Sequence, residues 1–140
     1  MKPRYARALL EGRKTIEVRR RFPEVPAGTT VVLYASSPER AIVGTMTLAN
    51  TARETPSRVW RLHRHAIDID RDALAVYLDG AEASTLLYMS HPQPWEHPVP
   101  LSALREALGL EPPQSFRYLD EQQLSAMRHV AAMKATRASD

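Results

Sequence analysis

The sequence has no cysteine, which removes thiol nucleophiles, disulfides and cysteine-ligated zinc together. Glycine is scarce as well: five residues, none of them close to another. A phosphate-cradling glycine loop and a Gly-x-Ser-x-Gly nucleophile elbow therefore have no material to be built from. No apolar run approaches the ~18 residues that cross a bilayer, and no signal-peptide core follows Met1. The expectation is a cytoplasmic protein without membrane contact. Coiled-coil heptads, internal repeats, low-complexity tracts and linkers are also missing, so the chain reads as one domain over 1–134 with a frayed tail at 135–140.

What is present is ordinary in bulk and uneven in placement. A hydrophobic fraction of 44% with 25% charged residues suits a globular domain able to bury a core without covalent staples. The formal net charge is only +3. Yet Lys2, Arg4, Arg7, Arg13, Lys14, Arg19, Arg20 and Arg21 crowd the first 21 positions against Glu11 and Glu17 alone. Arg58, Arg61, His63, Arg64 and His65 form a second cluster, while acidic residues gather in 68–82 and 111–121. One strongly positive face is the electrostatic footprint of a polyanion site. Solvated arginines spread over separate surfaces are the competing account.

Pro3 to Leu10 reads as a short helix with an apolar stripe of Tyr5, Ala6, Leu9 and Leu10, closed by Gly12 in a left-handed position. Residues 14–20 turn to strand character, and Thr29 to Ala35 is a β-former run suited to burial on both sides. Ala41 to Ala49 gives another strand, with Gly44 marking a bulge or close approach. Thr55-Pro56 starts a helix, with Thr as N-cap and Pro at the first turn. Asp70 caps the next helix, stopped by Gly80. A strand over Ala83–Met89 leads into the proline-rich passage His91–Pro100, read as a loop or irregular edge. Ser102–Leu108 is a helix closed by Gly109, 112–119 is extended, and Asp120 with Gln123 opens a last helix. Short strands at irregular spacing with peripheral helices predict an α+β fold: a small mixed β-barrel decorated by helices.

The informative stretch is Gly12-Arg13-Lys14-Thr15-Ile16-Glu17-Val18-Arg19. Strand alternation sets Ile16, Val18 and Arg20 on one side and Glu17 and Arg19 on the other. The apolar pair is expected in the barrel core, and the charged pair in a cleft under the helices. Lys14, at the strand entry, reaches either side. A carboxylate flanked by cations suits an anionic ligand, nucleic acid foremost; the bland alternative is an exposed strand face with a weak Glu17–Arg19 pair.

These residues also carry a family resemblance. Lys2-Pro3-x-Tyr5-Ala6 leads into Gly12-x-Lys14-x-x-Glu17-x-Arg19, then Tyr34-Ala35-Ser36-Ser37-Pro38, with Val43-Gly44 downstream. The pattern resembles the ASCH domain of the PUA-like superfamily, small β-barrels associated with RNA; it is clearest over residues 2–50, and 112–118 resembles the closing strand of some members. The resemblance implies a PUA-like barrel whose cleft is lined by Lys14, Glu17 and Arg19 beside the loop of Ser36 and Ser37. It implies RNA, single-stranded nucleic acid or a nucleotide as partner. Some members hydrolyse acetylated cytidine with a Lys, a Thr and a Glu, the threonine three positions after the lysine; here that position is Glu17. Others are linked to metal-dependent ribonuclease action. Relatives usually carry a short apolar strand before Lys-Pro, so either the barrel lacks one strand or the start is truncated.

The expected nucleic-acid contacts are Lys14, Glu17, Arg19, Arg20, Tyr34, Ser36, Ser37, Arg117 and Tyr118. Arg20 would join Lys14 and Arg19 on phosphates, and Tyr118 beside Arg117 would stack on a base. If the protein is an enzyme, Lys14 and Glu17 form the acid–base pair. No metal and no cofactor is expected. His63 and His65 are two apart on a helix and face different ways, and Asp68-x-Asp70-x-Asp72 lacks the glycine of a calcium loop. Trp60 and Trp95 read as core. A nucleic-acid-binding module ranks first and a hydrolase on RNA or a modified nucleoside second. A partner-docking protein using the helices at 55–78 and 120–134 ranks last.

Overall fold

The structure is a computed structural model that describes residues 1–109, 116–118 and 129–130. Its elements run α1 (Pro3–Leu10), β1 (Ile16–Arg19), β2 (Thr29–Ala35), β3 (Ala41–Glu54), α2 (Pro56–Ile67), α3 (Arg71–Tyr77), β4 (Ser84–Pro100), α4 (Leu101–Leu108) and β5 (Phe116–Tyr118). The strands form one sheet in the order β1-β4-β3-β2-β5. The fold is α+β, as expected. Every strand pairing is antiparallel rather than mixed, and among the described residues β1 and β5 remain the two ends of an open sheet. The exposed edge of β1 has a local reason to stay unpaired: the Val18 N–H donates to the carboxylate of its neighbour Glu17 at 3.2 Å, occupying a group that another strand would need.

Of the two forms expected for the proline-rich passage, the irregular edge is the one adopted: positions 91–100 continue β4 rather than forming a loop, and β3 extends past Ala49 to Glu54. β1 pairs β4 only along 85–88, so the later half of β4 has one hydrogen-bonded neighbour, β3. Prolines there forfeit no ladder bond on the open side. Register shifts after Ile42, Thr45 and Leu48 absorb the mismatch.

Both faces of the sheet are covered. Alternation in β2 sends Val31, Leu33 and Ala35 to a cluster under α1, with Ala6, Leu9, Met46, Leu48, Leu87 and Met89. Val32 and Tyr34 join Ile42, Val99, Leu101 and Leu104 against α4 on the other face. A third cluster packs Ile16, Val18 and Leu86 against Val59, Ile67, Leu74 and Leu78 of the α2–α3 pair. Trp60 and Trp95 pack against these clusters, in keeping with their reading as core. Gly44 is the close-approach point expected: a Cβ there would lie 2.5 Å from the Gln93 carbonyl oxygen and 2.8 Å from Leu10 of α1. Asp70 caps α3 as expected, accepting from the Ala73 N–H at 2.8 Å. Thr55 occupies the N-cap position of α2 without a side-chain cap bond. The expected helix after Asp120 is described only at 129–130, and the tail at 135–140 lies outside the described residues. No described helix is long and apolar enough to cross a membrane.

Candidate functional site

Gly12, at φ +79°, ends α1 in the left-handed region that glycine tolerates best. The chain then doubles back so that the N–H groups of Arg13 and Lys14 both reach the Ala8 carbonyl. This turn delivers Lys14 to the start of β1 with its side chain directed inward; only 2% of the residue is exposed. Its ammonium donates to the Ile67 carbonyl, one of the carbonyls that a helix C-terminus leaves without an internal partner, and the negative end of α2 favours a cation there. The same Nζ lies 3.6 Å from Glu17 Oε1 and 5.2 Å from the centroid of the Tyr5 ring.

Glu17, 8% exposed, is the centre of the group. Oε1 faces Lys14 and accepts from Val18, while Oε2 meets Arg19 Nη2 at 3.4 Å. A carboxylate shared between two cations gains charge-assisted contacts on both oxygens. Removal from water lowers the Lys14 pKa below its ordinary value, and the attraction of Glu17 and Asp68 opposes that fall without cancelling it.

These three side chains converge on a cleft of about 180 Å³ at the β1 edge of the sheet. Tyr5, Ile69, Leu74 and Tyr77 supply much of its remaining wall. The volume is comparable to the ~150 Å³ cavity that holds a benzene ring, so the cleft is of the size of one planar ring. The alternation expected of β1 is present, with the apolar pair in a core cluster and the charged pair in a cleft walled in part by α1 and α3. Ile16 and Val18 pack beneath α2 and α3. Glu17, in register with Leu87, faces the α1 side of the sheet. Helices cover both faces of this short strand, so the apolar pair takes the broad α2–α3 surface and the charged pair is left beside the first turn of α1.

Arg20, Tyr34, Ser36 and Ser37 do not line this cleft. Arg20 points to the opposite face, where its guanidinium donates to the carbonyls of Tyr77 and Asp79 at 3.0 and 2.9 Å, closing the end of α3. The Tyr34 side chain lies in the cluster beneath α4. Ser36 donates through both its N–H and its hydroxyl to the Met1 carbonyl, and Ser37 is exposed. Arg117 and Tyr118 stand in β5, paired to β2 at the far end of the strand order from β1; their side chains lie outside the described residues. Sequence reasoning missed Met1, Lys2, Ile69, Leu74 and Tyr77 as cleft residues and read Tyr5 as part of the apolar stripe of α1 and of the family pattern. The apolar Ile69 between Asp68 and Asp70 was the one local signal available.

The fold that frames this cleft, an amphipathic first helix over an antiparallel sheet, is shared with known proteins. The profile of the family described as "ASCH domain" matches residues 1–100, and the chain belongs to that family. It is 26% identical over 122 residues to an "ASCH domain-containing ribonuclease" of Zymomonas mobilis, a match spanning 86% of this chain and 82% of the relative. The crystal structure of ASCH from Zymomonas mobilis superposes with a TM-score of 0.85 at 25% identity, covering 92% of this chain and 90% of that one. A serine-to-alanine mutant of the Zymomonas protein superposes with a TM-score of 0.82 at 25% identity, covering 91% and 92%.

Proposed function

We propose that this ASCH domain binds RNA or another single-stranded nucleic acid, with one base or nucleotide fragment entering the cleft of Lys14, Glu17 and Arg19. The observation that carries the reading is a buried carboxylate held between two cations at the wall of a cavity sized for one ring. Glu17 accepts from an exocyclic amino group, Lys14 and Arg19 donate to ring or phosphate oxygens, and Tyr5 or Tyr77 contributes an aromatic wall. The exposed Ser37 is left for a phosphate or sugar contact. A PUA-like barrel and a cytoplasmic setting belong to the same proposal.

A salt titration tests it. Affinity for single-stranded RNA falls with a slope near −0.7 per neutralised phosphate, with about two to four phosphates engaged. A flat salt response, or unchanged binding in the Lys14→Ala, Arg19→Ala double variant, overturns the reading.

A second reading is cleavage of the bound RNA, favoured by the name of the Zymomonas relative and by the adjacency of Lys14 and Glu17. In it Glu17 accepts the proton of the attacking hydroxyl or water as that oxygen bonds to phosphorus, Arg19 stabilises charge on the phosphate, and Lys14 gives a proton to the leaving oxygen as its P–O bond breaks. Incubation with labelled RNA, with and without divalent metal, and separately with acetylated cytidine, separates the two. Product formed by the natural chain and lost in Glu17→Gln selects the enzyme; binding without turnover leaves the module.

A further inference from the structure

Beside the cleft lies a second, larger cavity of about 480 Å³, lined by guanidinium groups. Arg4 and Arg7 reach it from α1, Arg13 from the turn that follows, and Arg64 from α2. Asp68 and Asp70 are the carboxylates in its wall, which leaves an excess of two positive charges. Both aspartates already have partners: Asp70 accepts from the first turn of α3, and Asp68 meets Arg13 at 3.4 Å. Tyr5 and Ile69 line both cavities, so the arginine channel adjoins the cleft across these two side chains.

The present partners of the arginines are readily exchanged. Arg7 meets Glu39 at 2.9 Å with both side chains more than a third exposed, and Arg13 divides itself between Glu11 and Asp68. Arg64 donates to the Arg61 carbonyl and Arg4 to the Tyr5 hydroxyl. Exposed pairs of this kind contribute little, whereas a guanidinium and a phosphate form short, often bidentate, charge-assisted contacts. The contacts pre-position four cations without committing them.

Resting on the reading of the cleft given above, we infer that the arginine channel is the track for the phosphodiester backbone of the same strand whose base enters the cleft. The ligand is then an oligonucleotide rather than a free nucleoside. A ring-sized slot joined to a basic channel matches the alternation of ring and phosphate in a nucleic-acid strand. An acidic peptide supplies the charge but no regularly spaced ring for the slot.

The test uses the full chain and a labelled single-stranded RNA of about ten nucleotides, the range of a single binding groove, titrated from about 50 to 200 mM salt. Arg7→Glu and Arg64→Glu each flatten the salt slope by about 0.7 and weaken binding about five- to tenfold at the lowest salt. Arg105→Glu, an exposed reversal on α4 that lines neither cavity, leaves the slope in place, and thermal melting checks that all variants fold. Equal losses in Arg105→Glu would reduce the effect to net charge and overturn the channel. So would competition by polyglutamate as strong as by unlabelled RNA. Unchanged slopes in Arg7→Glu and Arg64→Glu, with binding still dependent on Lys14, remove the channel and spare the cleft; no binding by the natural chain removes both.

Discussion

Glu17 stands 3.6 and 3.4 Å from Lys14 and Arg19 with all three side chains largely buried, while Glu39 meets Arg7 at 2.9 Å at the exposed surface. The shorter pair is the weaker one. Attraction between unit charges scales inversely with both separation and local dielectric, and the few tenths of an ångström gained by Glu39 are small beside the screening it accepts. The buried group carries the opposite liability. Its members have surrendered hydration, a cost that their contacts with one another offset. The cleft is therefore a fixed, interdependent site, and the arginine channel is a set of independent cations.

The widest separation between the two regions is expected on carboxylate removal. Glu17→Ala leaves two cations with little access to water and destabilises the fold by about 3–5 kcal/mol. Glu39→Ala changes stability by no more than ~1 kcal/mol. Urea denaturation of both variants decides it, and similar losses would erase the distinction.

Gly44→Ala comes next. The added methyl meets the Gln93 carbonyl and Leu10 of α1, and overpacking of this kind destabilises by about 1–3 kcal/mol. Because α1 carries Tyr5, Arg4 and Arg7, the substitution disturbs cleft and channel together. Weakened ligand binding should accompany a lowered melting temperature; a change in binding confined to one region would show that they move separately.

Asp70→Ala removes the cap of α3 and destabilises by about 1 kcal/mol. Leu74 and Tyr77 of α3 line the cleft, so hydrogen exchange should rise in this helix and at the cleft rather than around α4. Equal exchange changes in both places would count against a local effect.

A pH series sharpens the comparison without a fixed magnitude. Lys14 holds its proton less tightly in the folded chain than the ordinary value of 10.5, because burial outweighs the attraction of Glu17 and Asp68. Between that lowered value and 10.5 the unfolded chain binds more protons, so the Lys14 contribution to stability rises with pH and levels off above 10.5. Below the lowered value the full penalty of the buried charge is present. Subtracting the denaturation profile of Lys14→Met from that of the natural chain isolates the slope. A flat difference would mean that Lys14 retains an ordinary affinity for its proton.

Much of the fold could be read locally. Gly12 at a helix end, Asp70 as a cap, Gly44 at a crowded crossing and the two-sided burial of β2 each follow from rules that act within a few residues. The Lys14–Glu17–Arg19 spacing likewise marked a group on one strand. What escaped was settled by distant neighbours. The prolines of 91–100 suit a strand only because that half of β4 has one hydrogen-bonded partner, a fact set by where β1 ends. Arg20, indistinguishable from Arg19 in composition, is claimed by the carbonyls closing α3, some sixty positions away. Arg4, Arg7, Arg13 and Arg64 were visible as charge but not as a common channel.

The sequence by itself determined where α1, α2 and α3 begin, the alternation of β1 and the presence of a cation–carboxylate–cation set, because these depend on backbone preference and short spacing. Only the tertiary structure decided which face of β1 each residue took, which arginines remained available and that two cavities share a wall. Those outcomes depend on packing and dielectric, and both are created by elements far apart in the chain.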